Sequence, residues 1–417
     1  MPALGSVNMD YVTWADSHPE VAEVFDSVSY YKKTPWPCEI IDTGMAPIYQ
    51  PCMTVGTDQE LFVAGPGGQV FHSQDLARTW SLLCQSPSLE PAIPKERKKG
   101  IMLSSGIGVT AKGTLLLIWD MDYSDGRSDR SYTNETRHRV TWITRSEDRG
   151  KTWKATQLLD PSPCDNIADT STIIQLADGR LMVPLRVERC SRPGKPVGIS
   201  EAVFRSLIYT SSDDGKTWSK SSKFTDHTAE PHLLELPSGK IVASIRYQRV
   251  KLPEDQPALG GCFYDVPGQR NESIMGGPTA VGRNLFQHTA FTVSEDAGST
   301  WSTPRLITGT LAQTGCLVRL SDGTLILTFG RHGQYFMISY DEGKTWSKVV
   351  YQLNCTGEYA RSVALEDDTI ITIHDNVVAN KAGERGPMIV LRWRVPPREE
   401  VKRHGFFTPR EIETGVK

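Results

Sequence analysis

SSDDGKTW, residues 211–218, has few ways to fold and one obvious one. Ser211 and Asp213 carry oxygens that bond nearby backbone amides, Gly215 permits a positive φ, and Trp218 can cover the far side of a tight turn. The pattern Ser-x-Asp-x-Gly-x-Thr-Trp, or a near relative, recurs as SQDLARTW from Ser73, SEDRGKTW from Ser146, SEDAGSTW from Ser294 and SYDEGKTW from Ser339. Five copies in 417 residues mark one β-hairpin turn used repeatedly, and hence a repeat architecture.

A second repeat interlocks with the first. Six times an apolar strand, a polar turn and another apolar strand follow one another: CMTVGTDQELFVAG from Cys52, IGVTAKGTLLLIWD from Ile107, IIQLADGRLMVPLR from Ile173, LLELPSGKIVASIR from Leu233, LVRLSDGTLILTFGR from Leu317 and VALEDDTIITIHD from Val363. Each reads as a hairpin with an Asp-Gly-like turn. In the first five units a third strand precedes the octet and a fourth follows it.

The expected fold is therefore all-β, a six-bladed β-propeller with a short N-terminal helical segment at Ala15–Val28. The blades are expected near 50–85, 101–158, 169–222, 229–307, 314–352 and 359–395, within a single domain spanning 1–417. The sixth unit lacks an octet and ends with MIVLRWRV from Met388, so the N-terminal strand 37–44, CEIIDTG from Cys38, is expected to close the ring. Insertions at 121–139, 188–203 and 248–287 lie inside blades, where long loops often form functional lids.

Charge excludes some partners. Lys plus Arg total 46 against 49 Asp plus Glu, a net charge of −3, with no basic surplus for nucleic acid and no polybasic run for an anionic membrane. No apolar stretch approaches the roughly 20 residues of a membrane span. The N-terminus lacks a charged-then-apolar signal pattern, so a cytoplasmic location is the default expectation. The eight cysteines (38, 52, 84, 164, 190, 262, 316 and 355) show no CxxC or regular pairing and read as free thiols or core residues. Sequons stand at Asn134, Asn271 and Asn354.

In a propeller the first strand of each blade starts at one mouth of the central channel, and the second strand returns to it. The second-strand ends carry Asp120, Arg186, Arg246, Arg331 and the pair His374-Asp375. The first-strand starts carry Ser104-Ser105, Asp169, Glu230 with His232, Gln313-Thr314 and Glu358-Tyr359. Three arginines at equivalent positions suggest an anionic ligand, most simply a carboxylate held by guanidinium forks; surface ion pairs of little energetic value are the alternative. His232, His288 and His374 could bind a metal or act as bases, but no HxxxH or Cys/His cluster accompanies them. No cofactor or metal is expected.

From about Gln50 to Val395 the chain resembles the sialidase superfamily, whose Asp-boxes the octets match and whose architecture has six blades. The resemblance implies a glycan substrate and assigns roles. Glu230, with Arg246 sixteen residues later, matches the family's glutamate and arginine around the fourth-blade hairpin. Arg331, eight residues before Ser339, matches a further arginine, and Tyr359 in EYARSVALEDD matches the family's tyrosine, with Ala360 where Ser is usual. The implied chemistry is a tyrosine nucleophile activated by a glutamate, which avoids the repulsion between an anionic nucleophile and the substrate carboxylate.

Two family features are missing. The Arg-Ile-Pro segment that supplies a first carboxylate-binding arginine is replaced by Leu103-Ser104-Ser105, leaving Arg186, Arg127 or Arg130 to reach in from elsewhere. One lost arginine removes about 1.5–3 kcal/mol of charge-assisted bonding. At the position of the acid/base aspartate stands Arg127, flanked by Asp120, Asp122, Asp125 and Asp129; Asp125 is the first choice and Asp122 the second. The expected activity is a retaining exo-glycosidase acting on a terminal sialic acid or related acidic sugar. A neutral exo-glycosidase, a uronate lyase and a non-catalytic glycan-binding propeller are the alternatives.

Overall fold

A computed structural model describes residues 33–48, 50–89, 98–124, 138–164, 166–167, 171–188, 205–250, 285–308, 313–330, 333–354, 357, 359–377 and 385–412. The helix expected at Ala15–Val28 lies outside them. Among the described residues the chain forms thirty short strands and almost no helix, arranged as a six-bladed β-propeller.

Two N-terminal strands, β1 (Lys33–Pro35) and β2 (Glu39–Asp42), precede the repeats. The first sheet follows, β3 (Cys52–Val55), β4 (Leu61–Ala64), β5 (Gln69–Ser73) and β6 (Ser81–Gln85), in simple up-and-down order. The second holds β7 (Lys98–Val109), β8 (Leu115–Ser124), β9 (His138–Ser146) and β10 (Lys154–Leu158). The third departs from regularity. Its strands β11 (Asn166–Ile167) and β13 (Ile174–Gln175) both pair with β14 (Leu181–Glu188), whereas β12 (Ser171–Thr172) pairs in parallel with β7 of the second sheet. β15 (Arg205–Ser211) and β16 (Ser219–Lys223) complete it.

The fourth sheet runs β17 (Thr228–Glu235), β18 (Ile241–Val250), β19 (Leu285–Ser294) and β20 (Arg305–Leu306). The fifth has β21 (Gln313–Arg319), β22 (Leu325–Gly330) and β23 (Gln334–Ser339); beyond the short β24 (Trp346–Ser347), β25 (Val350–Asn354) is its outer strand and pairs in parallel with β1. The sixth has β26 (Ala360–Ala364), β27 (Ile370–Val377) and β28 (Arg385–Trp393), and its outer strand is β2, with Glu39 opposite Arg392 and Asp42 opposite Ile389. A C-terminal extension then adds helix α1 (Arg398–Arg403), β29 (Phe406–Phe407) pairing with β24, and β30 (Arg410–Glu411) pairing with β20. No local repeat in the sequence announces this extension.

The chain forms two compact units, Gln50–Ala243 with Val293–Trp301, and Met1–Tyr49 with Ser244–Thr292 and Ser302–Lys417. In each unit the core lies between faces of successive sheets. In the first, Leu116, Ile118 and Ile143 of the second sheet meet Val183, Leu185 and Leu207 of the third. In the second, Ile326, Phe336 and Ile338 of the fifth sheet meet Ile370, Leu391 and Trp393 of the sixth. Strands buried on both faces read as apolar runs, which explains LMV in β14 and the wholly buried LILTFG of β22.

Each octet turn closes through the same Ser, Asp and Thr bonds, and in the first three the Trp indole also bonds the turn's backbone. In the third sheet the Ser211 hydroxyl donates to Asp213 Oδ1 (2.8 Å) and accepts from the Gly215 amide (2.9 Å). The Thr217 amide and hydroxyl donate to the two Asp213 oxygens at 2.9 and 2.7 Å, and Trp218 Nε1 donates to the Gly215 carbonyl (3.1 Å). Hydrogen bonds of this kind, from the Thr152 hydroxyl first, hold the exposed Asp148 carboxyl at about 2. The turn uses two successive left-handed residues, Asp214 (φ 60) and Gly215 (φ 79), so position four is as unusual as the glycine after it. Gly215 has a second constraint. A Cβ there would lie 2.7 Å from Leu116 Cδ2 of the preceding sheet.

The structure corrects one expectation about the cysteines. Cys38, Cys52, Cys84 and Cys316 are in no disulfide, but Cys164 is disulfide-bonded. Linear spacing could not reveal this, because disulfide pairing follows strand pairing between distant segments.

Candidate functional site

Within the unit Gln50–Ala243, the strand beginning at Thr228 places Glu230 at the start of the fourth sheet. Its side chain is buried, at 2% exposure, and its backbone is left-handed with φ 47. Pro231 follows, and a residue before proline ordinarily takes extended backbone. A non-glycine residue in this conformation persists only where its surroundings over-determine it, a situation concentrated at ligand and catalytic sites. Gln50 Nε2 points to Glu230 Oε1 at 3.5 Å, a long and weak donation beyond the roughly 2.7–3.2 Å of an ordinary N–H···O bond. His232, one turn of the pleat further along β17, is also buried.

The same unit holds Asp120 and Arg186. Asp120, on β8, is buried and accepts a short hydrogen bond from the Thr141 hydroxyl on the neighbouring strand. Arg186, near the end of β14, is half-buried. Asp122 lies on β8 opposite Arg139, and Asp125 lies outside the described residues. The first-strand serines, Ser104 and Ser105, lie on β7 beside a register shift between Ser104 and Gly106.

In the other unit, Tyr359 stands just before β26 and is 4% exposed. Its backbone is clasped by Asp375, which ends the regular pairing of β27 with β28: the Tyr359 amide donates to Asp375 Oδ1 (2.9 Å) and the Asp375 amide donates to the Tyr359 carbonyl (3.2 Å). His374 Nδ1 donates to the Asp375 carbonyl (2.8 Å), and its Nε2 accepts from Asn354 Nδ2 (3.1 Å). Complete burial pushes the imidazole down to about 4, an effect the bond to Asp375 only partly offsets. His374 is thus neutral, with both ring nitrogens engaged inside the protein. Its geometry is that of a scaffold for Asp375 and Tyr359. Gly357 packs against the pair so closely that a Cβ would fall 2.4 Å from the Asp375 carbonyl oxygen.

Arg246 on β18 is buried and donates a short hydrogen bond to Gln248 Oε1 two residues on. His288 Nδ1 lies 3.0 Å from the Thr308 carbonyl. Arg331 lies outside the described residues. Among the described residues no group of His, Cys, Asp or Glu side chains is arranged to hold a metal, and no helix is long and apolar enough to cross a membrane.

Residues the sequence reading did not single out also belong to these neighbourhoods. Gln50 and Asn354 bond Glu230 and His374, and Thr141 bonds Asp120. Gln50 had one available signal. It stands before Pro51 at the entry to the first strand of its sheet, as Glu230 stands before Pro231.

Residues 97–256 match a family model described as a BNR repeat-like domain. A sialidase of Bacteroides fragilis is 23% identical over 334 residues, covering 66% of this chain and 60% of that protein, so the chain spans less than two thirds of that relative's length. The six-bladed β-propeller thus carries BNR repeat-like sequence and is similar to a sialidase. The Hadza microbial sialidase Hz136 shares the sialidase-like propeller fold with a TM-score of 0.54 at 16% identity, over 84% of this chain and 66% of that one. So does an α-L-arabinofuranosidase from Fusarium graminearum in complex with an iminosugar inhibitor, at TM-score 0.54 and 12% identity, over 86% of this chain and 98% of that one. Identities this low establish the propeller fold alone, and the substrate must be argued from the chain's own residues.

Proposed function

We propose that this sialidase-like propeller is a retaining exo-glycosidase that releases a terminal sialic acid or related acidic sugar from glycans. The observation that carries the reading is Glu230: a carboxylate buried to 2% exposure, held by left-handed backbone before a proline at the start of the fourth sheet's first strand. Tyr359, which opens the sixth sheet with its backbone amide held by Asp375, supports the reading as the proposed nucleophile.

The reaction would run in two steps. Glu230 takes the phenolic proton as Tyr359 Oη attacks the anomeric carbon, while an aspartate of the 120–129 segment, Asp125 or Asp122 first, protonates the departing glycosidic oxygen. Water then displaces the tyrosyl oxygen. The aspartate takes the water proton, and Glu230 returns its own to Tyr359. Arg246 and Arg331 would hold the substrate carboxylate, with Arg186, Asp120 and His232 lining the mouth. His374 and Asp375 act through Tyr359.

A second reading, a neutral exo-glycosidase using two carboxylates, is favoured by one specific observation. Asp120 is a second buried carboxylate in the same unit as Glu230, bonded by Thr141. The absence of arginine at Leu103-Ser104-Ser105 points the same way, as does the arabinofuranosidase likeness in fold.

The deciding experiment measures aryl release from an aryl α-sialoside and an aryl α-L-arabinofuranoside, with wild type, Tyr359→Phe and Asp120→Asn. Sialoside turnover that drops on the order of 10³-fold in Tyr359→Phe, with folding intact, is the expected result. Arabinofuranoside turnover that survives Tyr359→Phe and is lost in Asp120→Asn would install the second reading.

A further inference from the structure

Left-handed backbone at non-glycine residues falls largely in hairpin turns, at Leu76, Ala77, Arg149, Asp214, Ala297 and Glu342 of the octets, and at Gln59 and Asp368 between first and second strands. Gln50 (φ 55) and Glu230 (φ 47) are a different kind. Each immediately precedes a proline, Pro51 or Pro231, and each belongs to the start of its sheet's first strand. The same costly local device is built twice, 180 residues apart, and the two side chains it aims meet: Gln50 Nε2 donates to Glu230 Oε1.

We propose that Gln50 is a positioning residue for Glu230. Its carboxamide, anchored at the entry to the first sheet, donates to Glu230 Oε1 and favours the ionised form that accepts a proton. The inference rests on Glu230 being the base proposed above. It extends that reading by assigning control of the base to a residue the reaction itself does not use.

Among the described residues, the charged and titratable groups on β17 and on the elements packed against it can be named. β17 itself carries His232 and Glu235, the latter accepting the Ala177 amide at 2.7 Å. Of the elements packed on β17, β14 brings Arg186, and β12 brings only Ser171 and Thr172. β15 brings Arg205, which pairs with Asp226, and Tyr209, whose hydroxyl donates to the Asp160 carbonyl. The second strand of its sheet, β18, carries Arg246 and Tyr247.

The test titrates Glu230 directly, from the ¹³C resonance of its carboxyl carbon, identified by its loss in Glu230→Gln. Gln50→Met keeps the length and removes the donor; Gln50→Glu is isosteric and supplies a folded variant should Gln50→Met not fold. Glu230 is expected to titrate about half to one pH unit higher in Gln50→Met, and higher still in Gln50→Glu, where two carboxyls share one site. With an active substrate, kcat falls about tenfold in Gln50→Met with KM within about threefold, and the acidic limb of the kcat/KM profile moves with the Glu230 titration. Titration at the wild-type pH in both variants overturns the proposal. Wild type silent on every glycoside, with the titration still displaced, sinks the catalytic role of Glu230 and leaves the Gln50 hold standing.

Discussion

Asp375 grips Tyr359 from both sides of its backbone, accepting its amide hydrogen at 2.9 Å and donating to its carbonyl at 3.2 Å. A tyrosine at a strand entry would otherwise have a loosely fixed backbone, because the ladder of β26 with β27 begins only at Ala360 opposite His374. Removing the carboxylate releases one side of the grip and lets the phenol drift, and a displacement of about 1 Å at a reacting group costs about 10²-fold in rate. Asp375→Ala is therefore expected to lose about that factor in kcat and about 1.5–3 kcal/mol of stability. Asp375→Asn keeps an acceptor and should stay within tenfold. Steady-state kinetics and urea unfolding of the two variants check this; equal loss in both would show that charge, not the grip, is what matters.

His374 makes stability depend on pH. Its folded-state value lies at about 4, below its ordinary 6.5, because burial disfavours the imidazolium. Between those values the unfolded chain binds the proton and the folded chain does not. Stability is therefore fully present above pH 6.5, declines as pH falls toward 4, and loses on the order of 3 kcal/mol in all. Unfolding free energies measured from pH 7 to pH 4 should fall steeply in wild type and more gently in His374→Gln. Parallel curves would remove His374 as the source.

Gly215 serves both backbone and packing. An alanine there takes φ 79, at about 1–2 kcal/mol, and drives its Cβ to 2.7 Å from Leu116, adding about 1–3 kcal/mol of overpacking. Gly179 is the internal control, with φ 88 and open space around its Cβ. Gly215→Ala should destabilise by about 2–5 kcal/mol and Gly179→Ala by only the backbone part. Denaturant midpoints that fall equally would show that Leu116 yields without cost.

Much of the fold was legible because its signals are local. Ser211, Asp213, Gly215 and Trp218 meet within eight residues, so their bonds could be anticipated from spacing. Hairpins such as Leu325 opposite Ser339 follow from short connections. Less visible was the left-handed backbone at Asp214, where an ordinary side chain occupies a position that only the turn geometry makes unusual. Still less visible was the C-terminal return of Phe406 and Phe407 to Trp346 and Ser347, which has no counterpart among the repeats. Among the candidate residues, the sequence picked out Tyr359, Glu230 and Asp375, but the bond from the Tyr359 amide to an Asp375 carboxylate oxygen had no signal in it.

From the sequence alone came the propeller's six repeats, its octet turns and the positions at strand ends where chemistry would gather, because each depends on residues within one hairpin. Tertiary structure alone decided that Gln50 meets Glu230, that His374 stays neutral and that Asp375 serves Tyr359. Those facts depend on burial and on contacts between segments as many as 180 residues apart, which no local pattern encodes.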